Sequence, residues 1–257
     1  MESRLELVCN YEYGKTNIKN IYFTPPYKIM HPFMDGEKME VILMSSSAGL
    51  LAGDRFECAI SVEENADVTF LSQSYEKILD TKDDRAVKYL KINVDKNASL
   101  KYLPFPAIPY ANSDYAAVNE IHLSGSSRFV YSDVFSCGRV GMGERYALKR
   151  FKSRTKVYVD GELGFADHTL ISPREINYES IGMWGDYTHN GMLYIYLGDD
   201  GYPDELITQI KEIYEASHVF AGVTRCKRGI LLRTLGNSGE ELYQLNKKIA
   251  EKTGTGV

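Results

Sequence analysis

The chain has 257 residues, of which 44% are hydrophobic and 25% charged, with a formal net charge of −5 at pH 7. These values describe a globular chain long enough to bury a substantial core. The acidic balance argues against a sequence-independent grip on nucleic acid or an anionic membrane surface. No apolar run approaches the ~18 residues of a membrane-spanning helix.

The N-terminal stretch MESRLELVCNYEYG has no basic segment followed by an apolar one. A secretory leader is therefore not expected, and the cytoplasm is the expected location. The next segment, FTPPYKIMHPF (23–33), is stiff and apolar, with Pro25 and Pro26 near its start. It is a candidate docking ridge.

A strand is expected over 41–44 and another over 55–62, joined by SSSAGLLAGDRF (45–56). In that loop Gly49 and Gly53 are four positions apart and Asp54 follows. A phosphate-binding loop needs G-x-x-x-x-G-K-[ST], with a lysine facing the phosphates. Here the spacing is shorter, and an aspartate in place of the lysine would repel phosphate. The loop reads as a glycine-assisted turn between strands.

Three stretches then align without gaps: AISVEENADVTF (59–70), KINVDKNASLKY (91–102) and EIHLSGSSRFVY (120–131). Each alternates apolar and polar residues, reverses through a polar turn, and alternates again. Ile60 and Val62 match Ile92 and Val94, then Ile121 and Leu123; Val68 and Phe70 match Leu100 and Tyr102, then Phe129 and Tyr131. A period of two puts each set on one face of a strand. A recurrence of about 30 residues predicts stacked β units sharing one core, a helix-like β arrangement. An ordinary β-sandwich is the alternative. A degenerate fourth copy is KVYVDGELGFAD (156–167), in which Asp160-Gly161 is a good hairpin turn.

Between these copies, Ser72 and Ser74 have no histidine close in sequence and read as strand residues as readily as nucleophiles. LPFPAIPY (103–110) has three prolines, which remove ladder donors and predict an edge or extended crossing. With Phe105, Pro106, Ile108, Pro109 and Tyr110 it is either a second docking ridge or a corner of the stack. SCGRVGMGERY (136–146) gathers Gly138, Arg139, Gly143 and Glu144. A β-turn carrying a structural Arg–Glu pair is the simpler reading of it; a presented Arg139 and Glu144 is the functional one.

The C-terminal part has another rhythm. GMLYIYLG (191–198) reads as a strand, and 203–217 as a helix with Leu206, Ile207, Ile210, Ile213 and Tyr214 on one face. Pro203 suits the first position of that helix. VFAGVTRC and GILLRTLG read as strands, and 238–253 as a helix whose Ser238 and Glu241 have capping-box spacing. The tail GTGV is expected to fray. The expected organisation is a mainly β, solenoid-like region over 1–190 and a strand–helix–strand–strand–helix layer over 191–257, forming one compact domain.

Four cysteines and five histidines are scattered without C-x-x-C, H-x-H or H-x-x-x-H pairs, so no sequence-local metal site is expected. There is no G-x-S-x-G nucleophile elbow. An absent catalytic set beside two proline-rich apolar segments points to a binding protein, not an enzyme. The 19 tyrosines and scattered acids leave a carbohydrate-binding or carbohydrate-active β-solenoid as the alternative.

FTPPYKIMHPF, SSSAGLLAGDRF, LSQSYEKILDT, YLPFPAIPYANSDY and CGRVGMGERY occur in this order, and together they closely resemble the urease accessory protein D family, called urease accessory protein H in some bacteria. The likeness is strongest over 23–146, and GDYTHNGMLYIYL (185–197) is also similar. The resemblance implies a largely β, helix-like stack with two helices and a non-catalytic scaffold in nickel-dependent urease maturation. It implies binding to apo-urease and, through accessory protein F, recruitment of the accessory GTPase G. It further implies no tightly bound cofactor, but nickel in transit through a polar internal tunnel. Motif-matched candidates for the tunnel lining are Asp54, Ser72, Ser74, Glu144 and Arg139, with Gly49, Gly53, Gly138 and Gly143 shaping the turns. Ala48 and Ala52 stand where family members often carry glycine. His168 and His189 are weaker candidates for touching nickel, since imidazole suits Ni(II).

Overall fold

The computed structural model describes residues 1–198, 202 and 204–253. Pro203, expected to open a helix, and the GTGV tail lie outside the described residues. The chain starts as a hairpin of β1 (Glu2–Glu12) and β2 (Lys15–Phe23). Two short strands, β3 (Tyr27–Ile29) and β4 (Phe33–Asp35), pair antiparallel with β5 (Lys38–Ser45). The chain then winds between two sheets. β6 (Arg55–Val62) lies in the first sheet and β7 (Asp67–Ser72) in the second. After the short crossing strand β8 (Glu76–Ile78), β9 (Ala86–Val94) returns to the first sheet and β10 (Ser99–Leu103) to the second. A second crossing strand, β11 (Ala107–Pro109), precedes β12 (Asp114–Leu123), β13 (Arg128–Ser136) and β14 (Arg150–Val159), which again alternate between sheets. Neighbours within each sheet are parallel: β1, β6, β9, β12 and β14 in the first, and β5, β7, β10 and β13 in the second. The result is a β-solenoid of about four turns.

The internal repeat is the register of this stack. Ile60 pairs with Ile92, Ile92 with Ile121, and Ile121 with Val157, all fully buried. On the facing sheet Val68 pairs with Leu100 and Leu100 with Phe129. Each such side chain contributes roughly 1.5–3 kcal/mol by leaving water. Asn65 and Asn97 turn the chain at φ 64° and 56°, in the left-handed region that asparagine tolerates.

The fourth copy follows the pattern only halfway. Val157 and Val159 continue the ladders beside Ile121 and Leu123. The chain then reverses through Asp160 and Gly161, at φ 47° and 81°, and β15 (Glu162–Ile171) runs back antiparallel to β14 in the same sheet. The physical reason is turn length. Four residues separate β6 from β7, β9 from β10 and β12 from β13, enough to cross to the other sheet; two separate β14 from β15. A two-residue left-handed turn closes a hairpin.

The C-terminal order is as expected: β16 (His189–Tyr196), α1 (Asp204–Glu215), β17 (Phe220–Cys226), β18 (Gly229–Gly236) and α2 (Gly239–Lys252). β16 pairs antiparallel with β13, β18 with β16, and β17 with β18, so this layer extends the second sheet. The helices cover its outer face, where Leu206, Ile210, Leu245 and Ile249 meet Leu103, Val130, Leu193, Ile195 and Leu232. Ile207, Ile213 and Tyr214 pack at the margin of this cluster. Ser238 caps α2, its Oγ accepting from the Glu241 N–H at 3.2 Å. β13 and β16, in the middle of this sheet, are thus buried on both faces almost continuously. Among the described residues no helix is long and apolar enough to cross a membrane.

Candidate functional site

The space between the two sheets has two characters. Near the four-residue turns the inward rungs are apolar, Ile60, Ile92, Ile121 and Val157 facing Val68, Leu100 and Phe129. Away from them the first sheet presents Phe56, Lys88, Ala117 and Ser153 on one rung, then Cys58, Leu90, Asn119 and Thr155 on the next. The second sheet answers with Val41, Phe70, Tyr102 and Tyr131, and beyond them Ser72 and Asp133. These two faces look into one interior space. They enclose a cavity of about 210 Å³ whose wall includes Tyr27, Ser72, Glu76, Lys88, Asn119 and Asp133.

The charges in it are paired or shielded. Lys88 Nζ lies 2.5 Å from Glu76 Oε1, and the Tyr115 hydroxyl donates to Glu76 Oε2 at 3.5 Å. Burial pulls the Lys88 pKa down, but Glu76 outweighs it and the group stays above the ordinary lysine value, hence cationic. Asp133 accepts from Ser153 Oγ at 3.4 Å. Burial, with the charge of Asp167 added, pushes its carboxyl up to about 6. Asp167 in turn pairs with Arg233 of β18. Asn119 donates to the Tyr131 hydroxyl at 3.1 Å and to Thr155 Oγ1 at 2.9 Å. Burial raises the pKa of Tyr102, Tyr115 and Tyr131 well above the ordinary range, so the wall offers neutral hydroxyls.

The residues singled out in the sequence distribute unevenly around this cavity. Ser72, Ser74 and Gly49 line it. Ser72 Oγ accepts from the Phe105 N–H at 2.8 Å. Gly49 has φ 151°, and a Cβ there would meet the Lys77 carbonyl at 2.5 Å; only glycine lets this loop approach β8. Asp54 is buried but turned away from the cavity wall: it accepts from the Leu51 N–H at 2.8 Å and from the Met1 ammonium at 2.9 Å. A Cβ on Gly53, at φ 73°, would meet the Asp84 carboxylate at 2.8 Å.

Arg139 and Glu144 pair with each other outside the cavity. Arg139 lies over the Tyr110 ring at 4.3 Å, and Glu144 accepts from the Ala111 N–H at 3.3 Å. Gly138 and Gly143, at φ 151° and 76°, shape the turn that holds them. His168 is exposed on β15. His189 is half-buried against Thr188 Oγ1 at 2.8 Å, and burial pushes its pKa down to about 4. Neither histidine reaches the cavity wall. Among the described residues no group of three or more His, Cys, Asp or Glu is placed to hold a metal ion.

The 103–110 segment is a packed corner, not an exposed ridge. Pro106 and Pro109 are buried, and Phe105, Ile108 and Tyr110 are half-buried. β11 pairs with β8 and touches β13 at Phe135. In the 23–33 segment Pro26 is buried, while Phe23, Pro25 and Phe33 are exposed.

Sequence reasoning missed Glu76, Lys88, Asn119 and Asp133. Three of them carried a signal. Lys88 shares parity with Ala86, Leu90, Ile92 and Val94; Asn119 with Tyr115, Ala117 and Ile121; Asp133 with Phe129, Tyr131 and Phe135. A polar residue on the apolar parity of a strand points inward and needs a partner there. Glu76 lies on a three-residue strand with no parity to read.

The whole described chain matches a family model, "UreD urease accessory protein", over residues 1–253. The chain is 34% identical over 252 residues to the urease accessory protein UreD of Acetivibrio thermocellus, covering 96% of this chain and 95% of the relative. It is 33% identical over 239 residues to the urease accessory protein UreH of Helicobacter hepaticus, covering 92% of each. To the urease accessory protein UreH of Helicobacter pylori strain J99 it is 32% identical over 239 residues, covering 92% and 89%. The ordered motifs, the stacked fold and these matches agree: the chain belongs to the UreD family of urease accessory proteins.

Proposed function

We propose that this chain is a cytoplasmic, non-catalytic maturation factor of urease. In this reading it binds apo-urease and, through accessory protein F, brings in the accessory GTPase G. Nickel passes through its interior on the way to the urease active site. The observation that carries the reading is the polar cavity inside an otherwise apolar β stack, with Glu76, Lys88 and Asp133 on its wall. Maintaining ionic groups between two sheets opposes stability, and a structural core has no need of them. Carboxylate and hydroxyl oxygens can carry a divalent ion, while a soft or imidazole-rich cluster would hold one tightly. Passage needs the first property without the second.

Ser72 and Ser74 supply wall oxygens in this scheme. Asp54 acts by position: it fixes the turn next to Gly49 and Leu50, both of which line the cavity. The Arg139–Glu144 pair fixes its own loop in the same way. The exposed part of the 23–33 segment, around Pro25, is the ridge offered to a protein partner. Family membership does not favour the carbohydrate-active alternative.

The test is co-expression of the urease subunits with all other accessory proteins, with and without this chain. Nickel content and urea hydrolysis of the purified urease are the readouts. Urease made without the chain is expected to be intact but nickel-poor; full nickel loading without it would refute the reading.

A further inference from the structure

A cavity that carries cations but does not keep them needs a device to stop its own carboxylates from trapping the ion. One side chain in the cavity has the right chemistry. Lys88 stands on the inward parity of β9, between Phe56 and Ala117 on the neighbouring strands. Its ammonium is 2.5 Å from Glu76 Oε1, and Lys88 and Glu76 both line the cavity with Asp133. The Lys88 side chain is only 15% exposed, so the contact is not a surface ion pair of small consequence. Near the pair lie the neutral hydroxyls of Tyr27 and Tyr115, the neutral buried Cys58 thiol, and the Asp133 carboxyl, whose charge acts on both Lys88 and Glu76.

We propose that Lys88 is a tethered counter-cation: its ammonium occupies the cation position beside Glu76, and a divalent ion enters only by displacing it. This rests on the reading that nickel passes through the cavity. Like charges this close in a low-dielectric space exclude one another strongly. The ammonium sits on a flexible four-carbon stem, so it can swing aside as an ion arrives and return as the ion leaves. Return of the ammonium to Glu76 expels the ion and keeps transit reversible. Lys88 is a positioning and selectivity residue in this scheme.

The test titrates NiCl2 calorimetrically into the purified full-length chain. The variants are Lys88→Gln, Lys88→Arg and the double variant Lys88→Gln/Glu76→Gln. Lys88→Met, which keeps the stem volume without charge, is a second neutral variant should Lys88→Gln fold poorly. The neutral variants are expected to bind Ni(II) at least roughly tenfold more tightly than the wild type, because the competing charge is gone. The gain should disappear in the double variant, and Lys88→Arg should behave as wild type. In co-expression, the neutral variants should retain nickel and deliver less to urease. Folded neutral variants with unchanged Ni(II) affinity and normal delivery overturn the proposal. Omission of the whole chain is the separate arm. If omission leaves urease fully loaded, the maturation reading fails, while the titration still decides whether Lys88 competes with the cation. If omission abolishes loading and the neutral variants behave as wild type, the maturation reading stands and the counter-cation fails.

Discussion

Phe105 stacks on Tyr243 of α2, with ring centroids 4.3 Å apart and planes 18° from parallel. Phe105 also lines the cavity, and its N–H is held by Ser72. The proline-rich crossing, the cavity wall and the C-terminal helix therefore meet at one aromatic contact. Stiff proline-flanked backbone holds Phe105 out from the strand, and α2 supplies the surface that covers it.

Tyr243 is 3% exposed, so truncating it leaves a hole that the crossing cannot fill. Tyr243→Ala is expected to cost about 3 kcal/mol of stability, from lost burial plus the cavity left behind. Urea-induced unfolding checks the value. A loss under ~0.5 kcal/mol would mean that the helix does not brace this corner.

Asp133 predicts a pH dependence. Its folded-state pKa of about 6 lies above the ordinary aspartate value of 3.8, so the folded chain binds that proton more tightly than the unfolded chain. The stability from this proton is complete below the ordinary value and lost as pH rises through about 6. The shift corresponds to roughly 3 kcal/mol at most. Asp133→Asn should therefore match the wild type near the acid end and be more stable at pH 7–8, by about 1–3 kcal/mol. Unfolding midpoints across pH 4–8 test this; equal stabilities at pH 8 would place the carboxylate in a wetter setting than the one described.

Gly49 and Gly36 make a contrast within one chain. Both have positive φ, 151° and 61°, but a Cβ on Gly49 would meet the Lys77 carbonyl at 2.5 Å, and one on Gly36 meets nothing within 4 Å. Gly36→Ala should cost about 1 kcal/mol, the backbone term alone. Gly49→Ala should cost clearly more, about 2–4 kcal/mol, because it also pushes the loop off β8 and opens the cavity wall. Similar losses in the two variants, measured by denaturant unfolding, would refute the close-approach argument.

The stack was readable because its signal is repeated: the same inward pair recurs at Ile60/Val62, Ile92/Val94 and Ile121/Leu123, and register follows from it. The place where winding stops was not: 156–167 reads as a degenerate fourth copy, and only the two-residue Asp160-Gly161 turn, shorter than the earlier ones, marks the hairpin that ends the stack. The cavity was less legible. Ser72 and Ser74 came from family resemblance, whereas Lys88 and Asp133 sit in strands where a single charge looks like an outward residue unless parity is counted. Ridge and corner stayed open for the Phe105 segment because the sequence does not say that α2, more than a hundred residues later, returns to cover it. Asp54 read as inward for a related reason: burial follows from the turn, but direction depends on which backbone N–H groups lie beside it.

The central claim is that nickel reaches urease through the space between the two sheets. Ala117 lines that space beside Lys88 and carries no charge or hydrogen bond of its own there. Ala117→Phe fills the cavity while leaving Glu76, Lys88 and Asp133 in place. The decisive measurement is the nickel content of urease purified after co-expression with all accessory proteins and either the wild-type chain or a folded, partner-binding Ala117→Phe chain. The account predicts full loading with the wild type and severalfold less nickel with the filled cavity; equal loading by the two chains would contradict it.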